Sequence, residues 1–266
     1  MFIHMEKMVI AIVTNYGFSE NADALKARLS PYYKTLLLDN SSPNPPRTAD
    51  YILPNHNYTG LWNAAVRLAI EHKKPWLLFV ASDVQIPDVA LMAGCMQTIL
   101  MSPSAGIYTP SLRHDSRLSY DACFQRATNK IRECYITEGF FFLARTDILA
   151  RLYPVSQEEN RFGYGIDLMA AYHAYRTGHT VLVDDRVVIF HPAAVHSTPV
   201  DIAVEDQIKY MGRSGQRFRK WANQRLRYEG TLREVPRLLA RACYRPLLRA
   251  LDSFSPYKKA IEFHHA

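Results

Sequence analysis

Two apolar runs in this chain end in a carboxylate, and further acids and a histidine stand beside similar runs. Thr35-Leu36-Leu37-Leu38 leads into Asp39-Asn40-Ser41-Ser42, and Leu77-Leu78-Phe79-Val80-Ala81 leads into Ser82-Asp83. Downstream, Gly163-Tyr164-Gly165-Ile166 precedes Asp167, Val187-Val188-Ile189-Phe190 precedes His191, and Glu138 stands just before Gly139-Phe140-Phe141-Phe142. Such groups can accept hydrogen bonds from a ligand, hold a divalent cation through oxygen or imidazole nitrogen, or take a proton from an attacking hydroxyl. Each also has a purely structural reading. Asp39 can close a turn, Asp167 can cap the helix that follows it, and His191 can be a satisfied residue at a strand end.

The elements that position these groups are legible in the hydrophobic pattern. Val9 to Val13, Thr35 to Leu38 and Trp76 to Val80 read as strands, each ending in a polar cluster: Thr14-Asn15, Asp39-Asn40-Ser41 and Ser82-Asp83. Ser19 to Leu29 carries Ala22, Leu25, Ala27 and Leu29 among charged residues and predicts a short amphipathic helix between the first two strands. Strand, helix, strand implies parallel pairing, and open α/β sheets bind ligands beyond the carboxyl ends of their strands. Asp50 to Leu53, Ile107 to Pro110, Glu138 to Ala144 and Thr180 to Phe190 are further strand candidates. Asn57 to Glu71 shows helical spacing, and Ile166 to Thr177 reads as a helix closed by Gly178, a residue that accepts the left-handed conformation.

Taken in order, the Asp39, Asp83 and Asp167 segments resemble the nucleotide-sugar glycosyltransferases of the GT-A fold, especially the large family 2 group, over about residues 7 to 195. The resemblance implies a Rossmann-like α/β fold with a mixed, mainly parallel sheet flanked by helices. It implies that Asp39 accepts hydrogen bonds from the nucleobase, with Thr14 and Asn15 lining the same pocket, and that Asn57, Gly60 and Asn63 form the loop and helix start after the third strand. Ser82 and Asp83 complete the donor-binding set. The family's Asp-x-Asp reads Ala81-Ser82-Asp83 here, so the first acid is missing and Asp83 matches the last, which contacts a divalent metal (Mn²⁺ or Mg²⁺) in these enzymes. His191 resembles a late strand-His feature that supplies a second metal ligand. Asp167 matches the only retained acid of Glu-Asp-x-Asp and is the expected base of an inverting transfer, with Glu138 in reserve on the acceptor side.

Composition bounds the reading. The 266 residues, 48% hydrophobic, suffice for a substantial core. No uninterrupted run of 18 apolar residues predicts a transmembrane helix. Met1 to Val13 reads as a first strand of a cytosolic protein and not as a secretory signal. Cys95, Cys123, Cys134 and Cys243 show no CxxC pair or zinc spacing and are expected to be thiols in a reducing compartment.

Charge is uneven. From Gln207 onward there are 14 Lys and Arg against 4 Asp and Glu, so a chain of net charge +7 is slightly acidic over its first 206 residues. The expected organisation is a glycosyltransferase domain over 1–205 and a basic helical extension over 206–266. Within the extension Arg233, Arg237, Arg241, Arg245 and Arg249 recur every four residues beside an apolar face. That stripe reads as a solvated helix face, as a contact with anionic lipid, or, less favoured by Pro236 and Pro246, as a nucleic-acid surface. No nucleic-acid partner is expected.

The functional expectation is a transferase of the hexosyl or deoxyhexosyl class, cytoplasmic or at the inner membrane face. Its donor would be a UDP-, dTDP- or GDP-linked sugar and its acceptor a glycan or lipid-linked glycan. Two alternatives stand beside it: an inactive relative that binds sugar nucleotide or glycan, and a sugar-phosphate nucleotidyltransferase. The Gly-rich, Arg-containing loop of the latter is absent from Thr14-Asn15-Tyr16-Gly17.

Overall fold

The structure is a computed structural model and describes residues 5–114, 116, 121–192 and 200–228. The elements follow in the order α1 (Met5–Met8), β1 (Val9–Asn15), α2 (Ser19–Leu29), β2 (Lys34–Asp39), β3 (Tyr51–Ile52), α3 (Asn57–Glu71), β4 (Trp76–Ala81) and α4 (Val89–Leu100). They continue with β5 (Ala105–Leu112), a 3₁₀ turn (Asp121–Cys123), β6 (Ile131–Cys134), β7 (Phe141–Arg145), α5 (Thr146–Leu149), α6 (Ile166–Arg176), β8 (Thr180–Ile189) and α7 (Val200–Tyr228).

The eight strands form one sheet in the order β3-β2-β1-β4-β7-β5-β8-β6. Pairings β1 with β2, β1 with β4, β2 with β3 and β5 with β8 are parallel, whereas β7 runs antiparallel to both β4 and β5, and β6 to β8. The expected mixed, mainly parallel α/β sheet is therefore present. β1 is buried along its whole length, which explains why Val-Ile-Ala-Ile-Val shows no polar alternation: a central parallel strand is covered on both faces. Its register aligns Asn15 with Asp39 and Thr14 with Ala81, so the polar clusters of three strands end at one edge.

Met5–Met8 is helical, so the first strand expected over Met1 to Val13 starts at Val9, and α4 and β6 are among the elements with no sequence signal of their own. In α4, Val89, Met92, Ala93, Met96, Ile99 and Leu100 are buried and the helix is apolar almost throughout, which erases the 3.6-residue contrast. Its start is fixed by Asp88, whose side chain accepts the Leu91 N–H at 2.8 Å. β6 is a four-residue edge strand, Ile-Arg-Glu-Cys, mostly half-buried or exposed. β7 begins at Phe141 and not at Glu138, because Glu138 to Phe140 bend away as a loop at the carboxyl end of β4, where the Phe140 carbonyl accepts the Ala81 N–H.

The chain divides into compact units of residues 1–222 and 223–266. The expected boundary at 205/206 falls inside α7, whose Ala203, Met211, Phe218 and Ala222 are buried. The helix is interrupted at Gly212, where φ 53° and ψ −166° lie in a region that only glycine visits readily. Of the second unit, residues 223–228 are described, as helix. The arginine stripe from Arg233 to Arg249 lies outside the described residues.

Candidate active site at the carboxyl ends of the strands

Asn15 is the hub of the first cluster. Its Nδ2 donates to Asp39 Oδ1 at 2.8 Å and to Ser42 Oγ at 3.1 Å, and its Oδ1 accepts from Ser82 Oγ at 2.7 Å and from the Phe18 N–H at 3.1 Å. One amide thus ties the ends of β1, β2 and β4 together. Asp39 is fully buried and also accepts from the Ser42 N–H at 2.9 Å and Ser42 Oγ at 2.6 Å, closing a tight turn in which Ser41 takes φ 57°. Thr14 is buried in the same row, its hydroxyl 3.5 Å from the Val80 carbonyl.

The second cluster joins residues 108 positions apart. His191 Nε2 lies 3.1 Å from Asp83 Oδ2, and both side chains are largely covered. The backbone explains the meeting: Gln85 and Phe190 exchange N–H···O bonds of 2.8 and 3.0 Å, which holds the segment after β4 against the end of β8. The imidazole stacks on Phe140 with ring centres 3.9 Å apart and planes at 11°. The sequence-predicted pair is therefore brought together, as one carboxylate and one imidazole. Among the described residues no group of three His, Cys, Asp or Glu side chains converges as a metal cage.

The third cluster surrounds Asp167. The residue lies in the first turn of α6 and not at its cap, which is Gly165 at φ 84°, and its Oδ1 accepts the Leu168 N–H at 2.8 Å. Asp167 is half-buried, packed among Tyr58, Trp62, Ile107, Phe142, Ile166 and Ala170, and this desolvation raises its pKa to about 7, against the lowering effects of that N–H and of the Arg219 charge. A carboxyl that would be ionised in water is poised to exchange a proton near neutrality. Tyr58 connects it to the loop before β7: its hydroxyl donates to the Gly139 carbonyl at 2.6 Å. Its phenol is pushed well up, first by burial and then by the carboxylates of Asp167 and Glu138. Glu138 itself is 4% exposed. Asp83, His191, Phe140, Gly139 and Tyr58 are thus linked in that order, and Tyr58 lines one cavity with Asp167.

Other predicted positions lie nearby in different settings. Asn57 is exposed at the start of α3 with φ 55°. A Cβ on Gly60 would come within 2.0 Å of His56 Cβ, so the glycine permits close passage of the chain. Asn63 binds Val155 with both ends of its amide, at 2.8 and 2.9 Å, and pins the loop that leads to α6. Sequence reasoning did not single out Tyr58 or Ser42. Ser42 had a signal, the Asp-x-x-Ser spacing of a side-chain-closed turn. Tyr58 had none, since the carbonyl its hydroxyl binds is 81 residues away.

No family model matches the chain, and no curated protein sequence matches it. Solved structures do match. The structure of GalNAc-T7 with UDP, GalNAc and Mn²⁺ aligns with TM-score 0.54 at 8% identity over 73% of this chain, which spans 45% of that one. Glucosyl-3-phosphoglycerate synthase from Mycobacterium tuberculosis in complex with phosphoglyceric acid aligns with TM-score 0.53 at 12% identity, covering 81% of this chain and 84% of that chain. S. aureus TarS 1–349 in complex with UDP gives 0.52 at 14% identity over 70% and 61%. At these identities the likeness is one of fold: the chain has a GT-A-like fold.

Proposed function

We propose that the protein is a glycosyltransferase that moves a sugar from a nucleotide-sugar donor to a glycan or lipid-linked glycan acceptor with inversion, Asp167 acting as base. The observation that carries this reading is the Asp167 carboxyl, its pKa raised to about 7 by burial, in one cavity with Tyr58, whose hydroxyl binds Gly139 next to the Phe140 ring that stacks on His191 of the Asp83–His191 pair. In the proposed step the acceptor oxygen bonds to the anomeric carbon, the bond to the nucleoside diphosphate breaks, and the acceptor proton passes to Asp167. Asp39, Thr14, Asn15 and Ser82 would frame the nucleotide, and Asn57, Gly60 and Asn63 the loop beside it. Asp83 and His191 would hold a divalent cation whose charge offsets that of the leaving diphosphate. One carboxylate and one imidazole fit such an ion only if the diphosphate and water complete its ligand set.

A binding protein without turnover is the second reading, favoured by Ala81 in place of the family's first acid and by the two-residue ligand set. One experiment separates the two. Turnover of UDP-, dTDP- and GDP-sugars is followed with Mn²⁺, with Mg²⁺ and in chelator, beside calorimetric titration with the nucleotides. Release of nucleoside diphosphate supports the transferase, binding without release supports the second reading, and failure of every nucleotide to bind removes both. UDP is the first ligand to try, because the matched GalNAc-T7 and TarS structures contain it.

A cytoplasmic setting, at the inner membrane face through the basic C-terminal residues, accords with the buried free thiols Cys95, Cys123 and Cys134. Among the described residues no helix is long and apolar enough to cross a membrane.

A further inference from the structure

Phe140 touches both halves of the Asp83–His191 pair, one through its backbone and the other through its ring. Its carbonyl accepts the Ala81 N–H at 2.8 Å, two residues before Asp83, and so fixes the end of β4 that leads to that carboxylate. Its ring lies face to face with the His191 imidazole, with centres 3.9 Å apart and planes at 11°. The imidazole is also tied at its edge, where Nε2 lies 3.1 Å from Asp83 Oδ2, and the backbone N–H of His191 donates to Ser116 Oγ at 3.2 Å.

Phe140 is itself held on both sides along the chain. Phe141 opens β7, is fully buried and stands in register with Val80 of β4. On the other side the Gly139 carbonyl accepts the Tyr58 hydroxyl at 2.6 Å, and a Cβ on Gly139 would lie 2.9 Å from that hydroxyl oxygen, so glycine lets the chain pass this close to Tyr58. The ring that faces His191 therefore stands on backbone anchored at both ends.

An imidazole nitrogen offers its lone pair in the plane of the ring, so the tilt of that plane decides whether the nitrogen and the Asp83 oxygen face one ion. Two adjacent ligands of an octahedral ion, each about 2.1 Å from it, stand about 3 Å apart, which the 3.1 Å spacing of Nε2 and Oδ2 matches. A stacked aromatic neighbour restrains the tilt and leaves the edge of the imidazole open. With 12% of the His191 side chain and 19% of that of Asp83 exposed, the pair is not sealed from a diphosphate or from water. Two protein ligands carry few restraints of their own, so a restraint from a third residue counts. We propose that Phe140 is a positioning residue for the divalent ion: its ring sets the plane of His191 and its carbonyl sets the strand end that carries Asp83. The proposal rests on the reading of Asp83 and His191 as ion ligands and needs no turnover.

The test uses the full chain with Phe140→Leu and Phe140→Met, which keep an apolar side chain and the carbonyl but remove the flat face, and with Phe140→Tyr, which keeps that face. Mn²⁺ binding in the presence of UDP, dTDP or GDP is read from the loss of the free-ion paramagnetic resonance signal, beside calorimetry with the same nucleotides in chelator. The Leu and Met variants should bind Mn²⁺ about 10- to 100-fold more weakly than wild type, the loss usual when the support of a metal ligand is removed. Phe140→Tyr should bind as wild type does, and nucleotide affinity in chelator should be the same in every variant. Wild-type Mn²⁺ affinity in the Leu or Met variant, or a loss in Phe140→Tyr as large as theirs, overturns the positioning role. So does an equal loss of nucleotide affinity in chelator, which would mean that the ring packs the surrounding structure as a whole. Absence of Mn²⁺ binding to wild type with every nucleotide also overturns it. Mn²⁺ binding that weakens as expected, without release of nucleoside diphosphate from any sugar nucleotide, supports the positioning role while removing the transferase reading, so the two failures are distinct.

Discussion

With its pKa near 7, Asp167 carries a proton in the native state over a range in which an aspartate in an unfolded chain has lost its own, and this has two consequences of opposite sign. From about pH 4 to about pH 7 the unfolded chain binds fewer protons than the native one, so burying this carboxyl makes the fold progressively less stable as pH rises and then levels off. Turnover, which needs the ionised base, should rise through the same window to a plateau above pH 7. Asp167→Asn should therefore flatten the pH dependence of the melting temperature, and should be the more stable protein at pH 8. Its transfer rate should fall by ~10²- to 10⁴-fold with no rising limb. Thermal melts and single-turnover transfer from pH 5 to 9 check both, and turnover within a few-fold of wild type would assign Asp167 a structural role. Asp39 behaves differently, because Asn15 and Ser42 donate to it. Asp39→Ala leaves those donors unmet and should cost about 1–3 kcal/mol in urea unfolding in addition to any loss of nucleotide affinity. Asp39→Ala with wild-type stability would mean the turn closes without the carboxylate.

Elements deliver these residues through a few close approaches. The loop before α6 passes Tyr58 so tightly that a Cβ on Gly163 would lie 2.0 Å from Tyr58 Cδ1, and Gly163 also has φ 71°. Gly163→Ala should consequently destabilise the protein by at least ~2 kcal/mol, through left-handed backbone strain combined with the clash against an aromatic ring. It should also displace Tyr58, whose hydroxyl holds Gly139 beside Glu138. A melt within a degree of wild type would show that the loop can shift freely. At the sheet, the Gln85–Phe190 bridge brings Asp83 to His191. If the pair holds an ion through the donor phosphates, Asp83→Ala and His191→Ala should each abolish the metal-dependent part of UDP affinity, read by calorimetry with and without Mn²⁺. Equal affinity in chelator would remove the metal from the site.

For the whole molecule, the basic residues concentrate beyond position 206, while the residues assigned to donor binding, metal binding and base catalysis lie before it. A chain ending at residue 228 loses Arg233, Arg237, Arg241, Arg245, Arg249, Lys258 and Lys259. With about 1 kcal/mol per cation near an anionic surface at low salt, it should bind phosphatidylserine vesicles at least tenfold more weakly than the full chain. The difference should shrink as salt rises. Equal sedimentation of the two with vesicles would leave the stripe as a solvated face.

Local chemistry was enough to read β1, β2, β4, α2, α3 and α6 from the sequence, because apolar runs, helical spacing and Gly178 are signals carried by neighbours in the chain. The polar strand ends that hold Asn15, Asp39 and Ser82 were legible for the same reason. α4 and β6 were not: a helix whose exposed face, with Ala90 and Leu91, is as apolar as its buried one, and a short charged edge strand, both lack the contrast that periodicity needs. The meeting of Asp83 with His191, the bonds of Asn15 to Asp39, Ser42 and Ser82, the raised pKa of Asp167 and the cover of α7 over Gly165 depend on groups 24 to 108 residues apart along the chain or on burial. The sequence determined which side chains could do chemistry and at which edge of a sheet they stand. Only the tertiary structure decided which of them touch and which are dry, because contact and desolvation are properties of packed surfaces and not of sequence neighbours.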